Sequence, residues 1–125
     1  MKLSCAILVI VHGLIVAGQA TTSFNPTGGV PNPAWLSGWP ANLGQSWLGF
    51  EQTLLARTGG LLWLAAGLAL VAAGLGVMAI GVPAAWSRRL MLTGAALSLG
   101  MLVLYLHPFY ALGLGASAAL VAALV

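Results

Sequence analysis

"LLWLAAGLALVAAGLGVMAIGV", residues 61–82, is the stretch whose reading decides the fold. It holds no charged residue, and as a helix it would measure about 33 Å, enough to cross the hydrocarbon of a bilayer. Its small residues recur in register. Gly60, Gly67, Gly74 and Gly81 stand seven apart, as do Ala65, Ala72 and Ala79, and likewise Gly59, Ala66 and Ala73. Leu61, Leu68, Leu75 and Val82 fill another heptad position, and Trp63, Leu70 and Val77 a further one. Much of one side is therefore small and most of the other bulky. In lipid, burying Leu against Leu brings little advantage over burying it in acyl chains. Small residues instead let backbones approach and gain dispersion contacts.

The rest of the chain has the same character. Of its 125 residues, 61% are hydrophobic and 4% are charged. A soluble domain carries about 25% charged residues. One glutamate and four basic residues cannot form a hydrated shell, whereas a bilayer removes the need for one. The net charge of +3 is too small and scattered to suggest nucleic acid as a partner. Cys5 is the only cysteine and excludes an internal disulfide.

Three further apolar segments accompany the first, over residues 3–18, 90–106 and 109–125. The last two are each about 25 Å long as helices, short enough to require local bilayer thinning or help from flanking residues. The expected fold is all-α: a single transmembrane domain over 1–125, built as an antiparallel four-transmembrane-helix bundle. Its spans lie at about 3–20, 57–82, 88–107 and 109–125, with an outer loop at about 21–46. The first segment also has features of a signal peptide, with Lys2 ahead of it and Gly18-Gln19-Ala20 as a small-x-small cleavage site. A retained first span is the favoured reading.

Topology follows from the basic residues. With four crossings, Lys2, Arg88 and Arg89 share one face, while Arg57 and the lone acid, Glu51, fall on the other. The positive-inside rule then puts both termini in the cytoplasm. Trp86 beside the arginine pair suits the inner interface. The connections around Pro83 and Pro108 are short, so spans two, three and four are antiparallel neighbours. The long loop carries Pro26, Pro31, Pro33 and Pro40 with Gly28-Gly29, a composition of ordered coil. Ser46 is an expected N-cap for a second helix running from Trp47 to Ile80, about 51 Å. Trp35, Trp39 and Trp47 fall where indole rings sit at the headgroup level, as a lid over the outer end of the bundle.

Each remaining span offers its own stripe of small residues: Gly13 and Ala17 in the first, Gly94 and Ser98 in the third, and Ala111, Gly115, Ala119 and Ala123 in the fourth.

Reactive chemistry is sparse. The chain has no aspartate, no phosphate loop, no CxxC and no pair of carboxylates. His12 and His107 remain, and intramembrane ionisable residues are functional candidates by default. Both fall toward the outer face, where they could ligate haem axially or a pigment magnesium. The plainer reading is a neutral imidazole bonded to a neighbouring carbonyl or hydroxyl, and it is preferred. Glu51 and Arg57 are six residues apart and do not share a helix face.

At "VHGLIVAG", "LGFEQTLLARTGGLLWLAAGLAL" and "AAWSRRLMLTGAALSLGML" the chain resembles a loose group of small four-span bacterial membrane proteins, some labelled permease-like. More distantly it is similar to the DoxX-like four-helix proteins, some of them linked to quinone-dependent oxidation. The resemblance implies a bacterial inner membrane location. The group often has a second histidine one turn after the first, where this chain has Val16. It often has an asparagine in the last helix, where only Ser117 is polar.

The expected function is a non-catalytic membrane subunit that packs within or stabilises a larger membrane complex, with other membrane subunits or a second copy as partners. The alternative is a lipid- or quinone-binding accessory of a redox complex, with a groove lined by Trp47, Phe50, His12 and His107 and with Glu51 nearby. A transporter ranks third, since the spans hold too few polar groups to line a water-filled path.

Overall fold

The structure, a computed structural model, describes residues 2–24 and 54–124. Every regular element among them is helical: α1 (Lys2–Gly18), α2 (Ala20–Phe24), α3 (Leu54–Val77), α4 (Ser87–Leu104) and α5 (Ala111–Leu124). Single 3₁₀ turns, Ala84–Trp86 and Pro108–Tyr110, lead into α4 and α5. Four helices of 17, 24, 18 and 14 residues form the body. The stretches Arg57–Val77 and Ala84–Leu104 are long and apolar enough to cross a membrane. The helices α1 and α5 are apolar but shorter. They measure about 26 and 21 Å against a hydrocarbon core of about 30 Å.

Helix boundaries depart from the sequence expectation at three places; α4 ends at Leu104, three residues before the expected 107. The first segment breaks at Gln19. There the Thr21 hydroxyl donates to the Gly18 carbonyl at 2.7 Å, and α2 restarts at Ala20. The second ends at Val77, five residues before the expected Val82. The Ile80 amide donates to the Leu75 carbonyl at 3.0 Å and the Ala79 amide to Gly76 at 3.1 Å. That pair of bonds is a Schellman cap, with Ala79 in the left-handed conformation at φ 57°. Apolar character continues through Met78-Ala79-Ile80, so hydropathy carries no sign of the stop. The expected Ser46 cap and the start of the second helix lie outside the described residues.

The long helix α3 is central. It packs against α1 on one side and α4 on the other, and α4 packs in turn against α5. The two contacts of α3 are made through its glycines and alanines, as the heptad spacing predicts. A Cβ built on Gly67 would lie 2.5 Å from the Gly13 carbonyl and from the Ala17 Cβ. One on Gly74 would lie 2.9 Å from the Ala6 carbonyl, and one on Gly94 would lie 2.9 Å from the Ala66 carbonyl. Backbones meet at these points because nothing larger than hydrogen separates them. Trp63 and Leu70, from the bulky positions of α3, turn inward and are fully buried with Ala95, Met101, Leu102 and Tyr105. Leu61 and Leu68 remain exposed.

Neighbouring helices run antiparallel. Gly13 meets Gly67 while Ala6 meets Gly74. Gly94 meets Ala66 while Tyr105 meets Gly59. Arg88 at the start of α4 donates to the carbonyl of Leu124 at the end of α5. The start of α1, with Ala6 against Gly74, therefore shares an end with Arg88 and Arg89, since Gly76 lies against Ser87.

The stripe in α5 is a correction. Ala111, Gly115, Ala119 and Ala123 are all exposed, and none of the described residues lies within 4 Å of a Cβ built on Gly115. The helix meets the body through Leu114, Ser117, Leu120 and Val121 instead. The physical reason is that α5 has one close neighbour, α4, and its larger residues fill that contact. Among the described residues no second backbone lies near enough for its small residues to approach.

Candidate functional site

The side of α5 that turns from α4 toward α1 bounds a groove of about 750 Å³. Val11, His12, Ile15, Val16 and Gln19 line it from α1, and Tyr110, Ala111, Leu112, Gly113 and Ala116 line it from the α5 side. Trp63 and Leu102 form its floor. The groove exists because small residues on α5 face branched residues on α1 across a gap that polar side chains bridge.

Two polar bridges cross this gap. In the first, His12 Nε2 and Ser117 Oγ share a hydrogen bond at 3.0 Å. Ser117 Oγ is also bonded to Ser98 Oγ at 3.1 Å, so one row of polar atoms joins α1, α5 and α4. Both serines are fully buried, at 0% exposure, which makes this bonding obligatory in an apolar interior. In the second, the Tyr110 hydroxyl donates to Gln19 Oε1 at 2.8 Å. Gln19 can do so because the break after α1 brings it to the end of the helix, beside the 3₁₀ turn that precedes α5.

An aromatic cluster supports that second bridge. The Trp63 ring lies 6.1 Å from Tyr105 and 6.2 Å from Tyr110, tilted to both. His107 stands edge-on to Tyr110 at 6.0 Å. Tilted and edge-to-face pairs at this separation match the ring quadrupoles. Tyr110 thus joins the cluster on one side and α1 on the other.

The expected site residues separate in this arrangement. His12 faces the α1–α5 groove and is bonded to a serine, the plainer of its two readings. His107 is buried in the connection between α4 and α5 and lines a smaller cavity of about 240 Å³, with Leu102, Leu106 and Leu114. The structure does not bring the two imidazoles into one cavity, because they face different gaps. Trp47, Phe50 and Glu51 lie outside the described residues, as do Trp35 and Trp39. Among the described residues no group of three or more His, Cys, Asp or Glu side chains could hold a metal ion.

Gln19, Ser98, Tyr110 and Ser117 are the residues that sequence reasoning did not assign to this site. A signal was present. His12, Ser98 and Ser117 are polar residues inside apolar stretches of their helices, and antiparallel packing brings all three together. No known family, curated protein or solved structure matches this chain.

Proposed function

We propose that the chain is a non-catalytic integral membrane subunit that packs within, or stabilises, a larger membrane complex. In this reading it is an antiparallel four-span bundle in a bacterial inner membrane, with both termini in the cytoplasm beside Lys2, Arg88 and Arg89. The carrying observation is the outward face of α5. Gly115 and Ala123 are exposed, with Ala111 and Ala119 at the edge of the gap toward α1, a small surface that another membrane helix can approach closely. The exterior supports membrane insertion. Leu3, Ile7, Leu14, Leu61, Leu68 and Val103 are all exposed, a surface that water would disfavour and acyl chains accept. The interior supports a structural role, since His12, Ser98 and Ser117 are bonded to one another across helix contacts.

Purification from native membranes in mild detergent tests this reading. Stoichiometric co-purifying membrane chains, lost on Gly115→Leu, are the expected result. A clean monomer whose behaviour Gly115→Leu leaves unchanged would sink it.

A second reading, a lipid- or quinone-binding accessory, is favoured by the groove between α1 and α5. Mass spectrometry of extracted lipids separates the two classes of ligand, and bulk phospholipid alone counts against a quinone.

A further inference from the structure

We propose that the seam between α1 and α5 is a proton-operated latch, in which protonation of His12 lets α5 swing away from α1. The latch does not depend on the membrane reading above. Among the four long helices the close contacts are α1 with α3, α3 with α4 and α4 with α5, and α1 with α5 is not one of them. Side-chain pairs span the seam instead: His12 with Ser117 at 3.0 Å, and Tyr110 with Gln19 at 2.8 Å. Hollows of about 750 and about 280 Å³ lie along it, and His12 borders both.

The two pairs differ in what a change of pH does to them. An imidazole takes up a proton between about pH 5 and 8, whereas a phenol and an amide do not. The proton comes from solvent, no covalent bond of the chain breaks, and the ring becomes a cation whose Nε2 can only donate. Ser117 can turn its own hydroxyl toward Ser98, 3.1 Å away, so the hydrogen bond itself survives in reverse. The charge is what the seam makes no provision for. His12 faces Ser117, Ala116 and Leu120 of α5, with Ser98 of α4 behind Ser117 and Trp63 of α3 on the groove floor. Tyr110 is the only other titratable side chain lining either hollow, and no charged residue lines them. A cation enclosed without a partner is costly, and water admitted to the seam relieves it. The helix that yields is α5. Gly13 and Gly67 lock α1 to α3 backbone against backbone, whereas α5 has α4 as its one close neighbour. The Tyr110–Gln19 pair stands beside the α4–α5 connection and serves as the pivot. Ser117 lies about 10 Å of helix beyond it.

Distances between paired spin labels in the full-length protein, purified in mild detergent, test the latch. Labels on cysteines replacing Leu14 and Ala118, in a Cys5→Ser background, span the seam from exposed positions that line neither hollow. A reference pair at Leu14 and Leu68 spans the close α1–α3 contact, and Leu68 is exposed as well. From about pH 8 to about pH 5 the Leu14–Ala118 distance should lengthen by a few ångström while the reference distance stays fixed. His12→Gln should hold the short distance at both pH values, and His107→Gln should keep the full response. Should His12→Gln fail to fold by circular dichroism, His12→Asn takes its place. A Leu14–Ala118 distance that ignores pH overturns the latch. So does lengthening that persists in His12→Gln or disappears in His107→Gln. Equal lengthening of both pairs also overturns it, since that is general loosening rather than release of α5. Each of these outcomes leaves the subunit reading standing, because co-purification of partner chains decides that separately.

Discussion

Gly13 and Gly67 pack backbone against backbone: a Cβ on Gly13 would lie 2.8 Å from the Gly67 carbonyl, and one on Gly67 would lie 2.5 Å from the Gly13 carbonyl. Each glycine is therefore needed by the other. The same crossing brings Ala17 against Gly67, so no flexible side chain can yield to make room.

Gly67→Ala should accordingly force α1 and α3 apart. Overpacking of this kind costs about 1–3 kcal/mol. Gly115→Ala is the matched control, because its Cβ would meet nothing and the substitution improves helix propensity by up to about 1 kcal/mol. Thermal unfolding in detergent, followed by circular dichroism, should show a lower midpoint for the first variant and an equal or higher one for the second.

Ser117 takes part in two hydrogen bonds that reach two different helices. Ser117→Ala should cost about 1–3 kcal/mol, since it leaves Ser98 and His12 without that partner in an apolar interior. Ser98→Ala removes only one of the two bonds. The double variant should be less destabilised than the sum of the singles, because both lose the same serine–serine bond. Additive losses in a double-mutant cycle would show that the row of polar atoms is not coupled.

Tyr110 separates ring packing from hydrogen bonding. Tyr110→Phe keeps the ring beside Trp63 and His107 and loses the bond to Gln19, a cost of about 0.5–1.5 kcal/mol. Tyr110→Ala also removes the ring and should cost about 3–5 kcal/mol. Equal losses would assign the whole effect to the hydroxyl, an outcome the aromatic cluster excludes. The same denaturation experiment reads both variants.

Ala79 is a non-glycine residue at the left-handed position of the α3 cap. The left-handed conformation costs an L-residue about 1–2 kcal/mol. Glycine relieves that strain but has more freedom to lose on folding, about 0.4–1 kcal/mol. Ala79→Gly should therefore raise stability by up to about 1 kcal/mol, read as a higher unfolding midpoint. A lower midpoint would mean that the cap does not hold the observed backbone.

Much of this architecture is legible in the order of residues. The heptad run of Gly60, Gly67 and Gly74 beside Gly59, Ala66 and Ala73 predicts close backbone approach through small residues, and α3 meets α1 and α4 through them. All-helical character follows from apolar runs interrupted at Pro83 and Pro108. These features are local, and periodicity records them directly. Other features depend on which helix lies next to which. The small stripe of α5 reads like that of α1, yet one faces outward and the other meets Gly67. Spacing within a helix cannot report the distance to a neighbour. The stop at Val77 escapes for a related reason, because a Schellman cap is a backbone geometry that hydropathy does not encode.

The candidate site divides in the same way. Residue type alone singled out His12, a titratable group inside an apolar helix. Its pairing with Ser117 at 3.0 Å, and its separation from the cavity that His107 lines, required three helices to be placed side by side. The sequence by itself determined an apolar helical chain with few polar groups, because composition and period act on each segment independently. Only the tertiary structure decided which of those polar groups meet and where a groove remains. Hydrogen bonds and cavities belong to pairs of surfaces, and no single helix contains them.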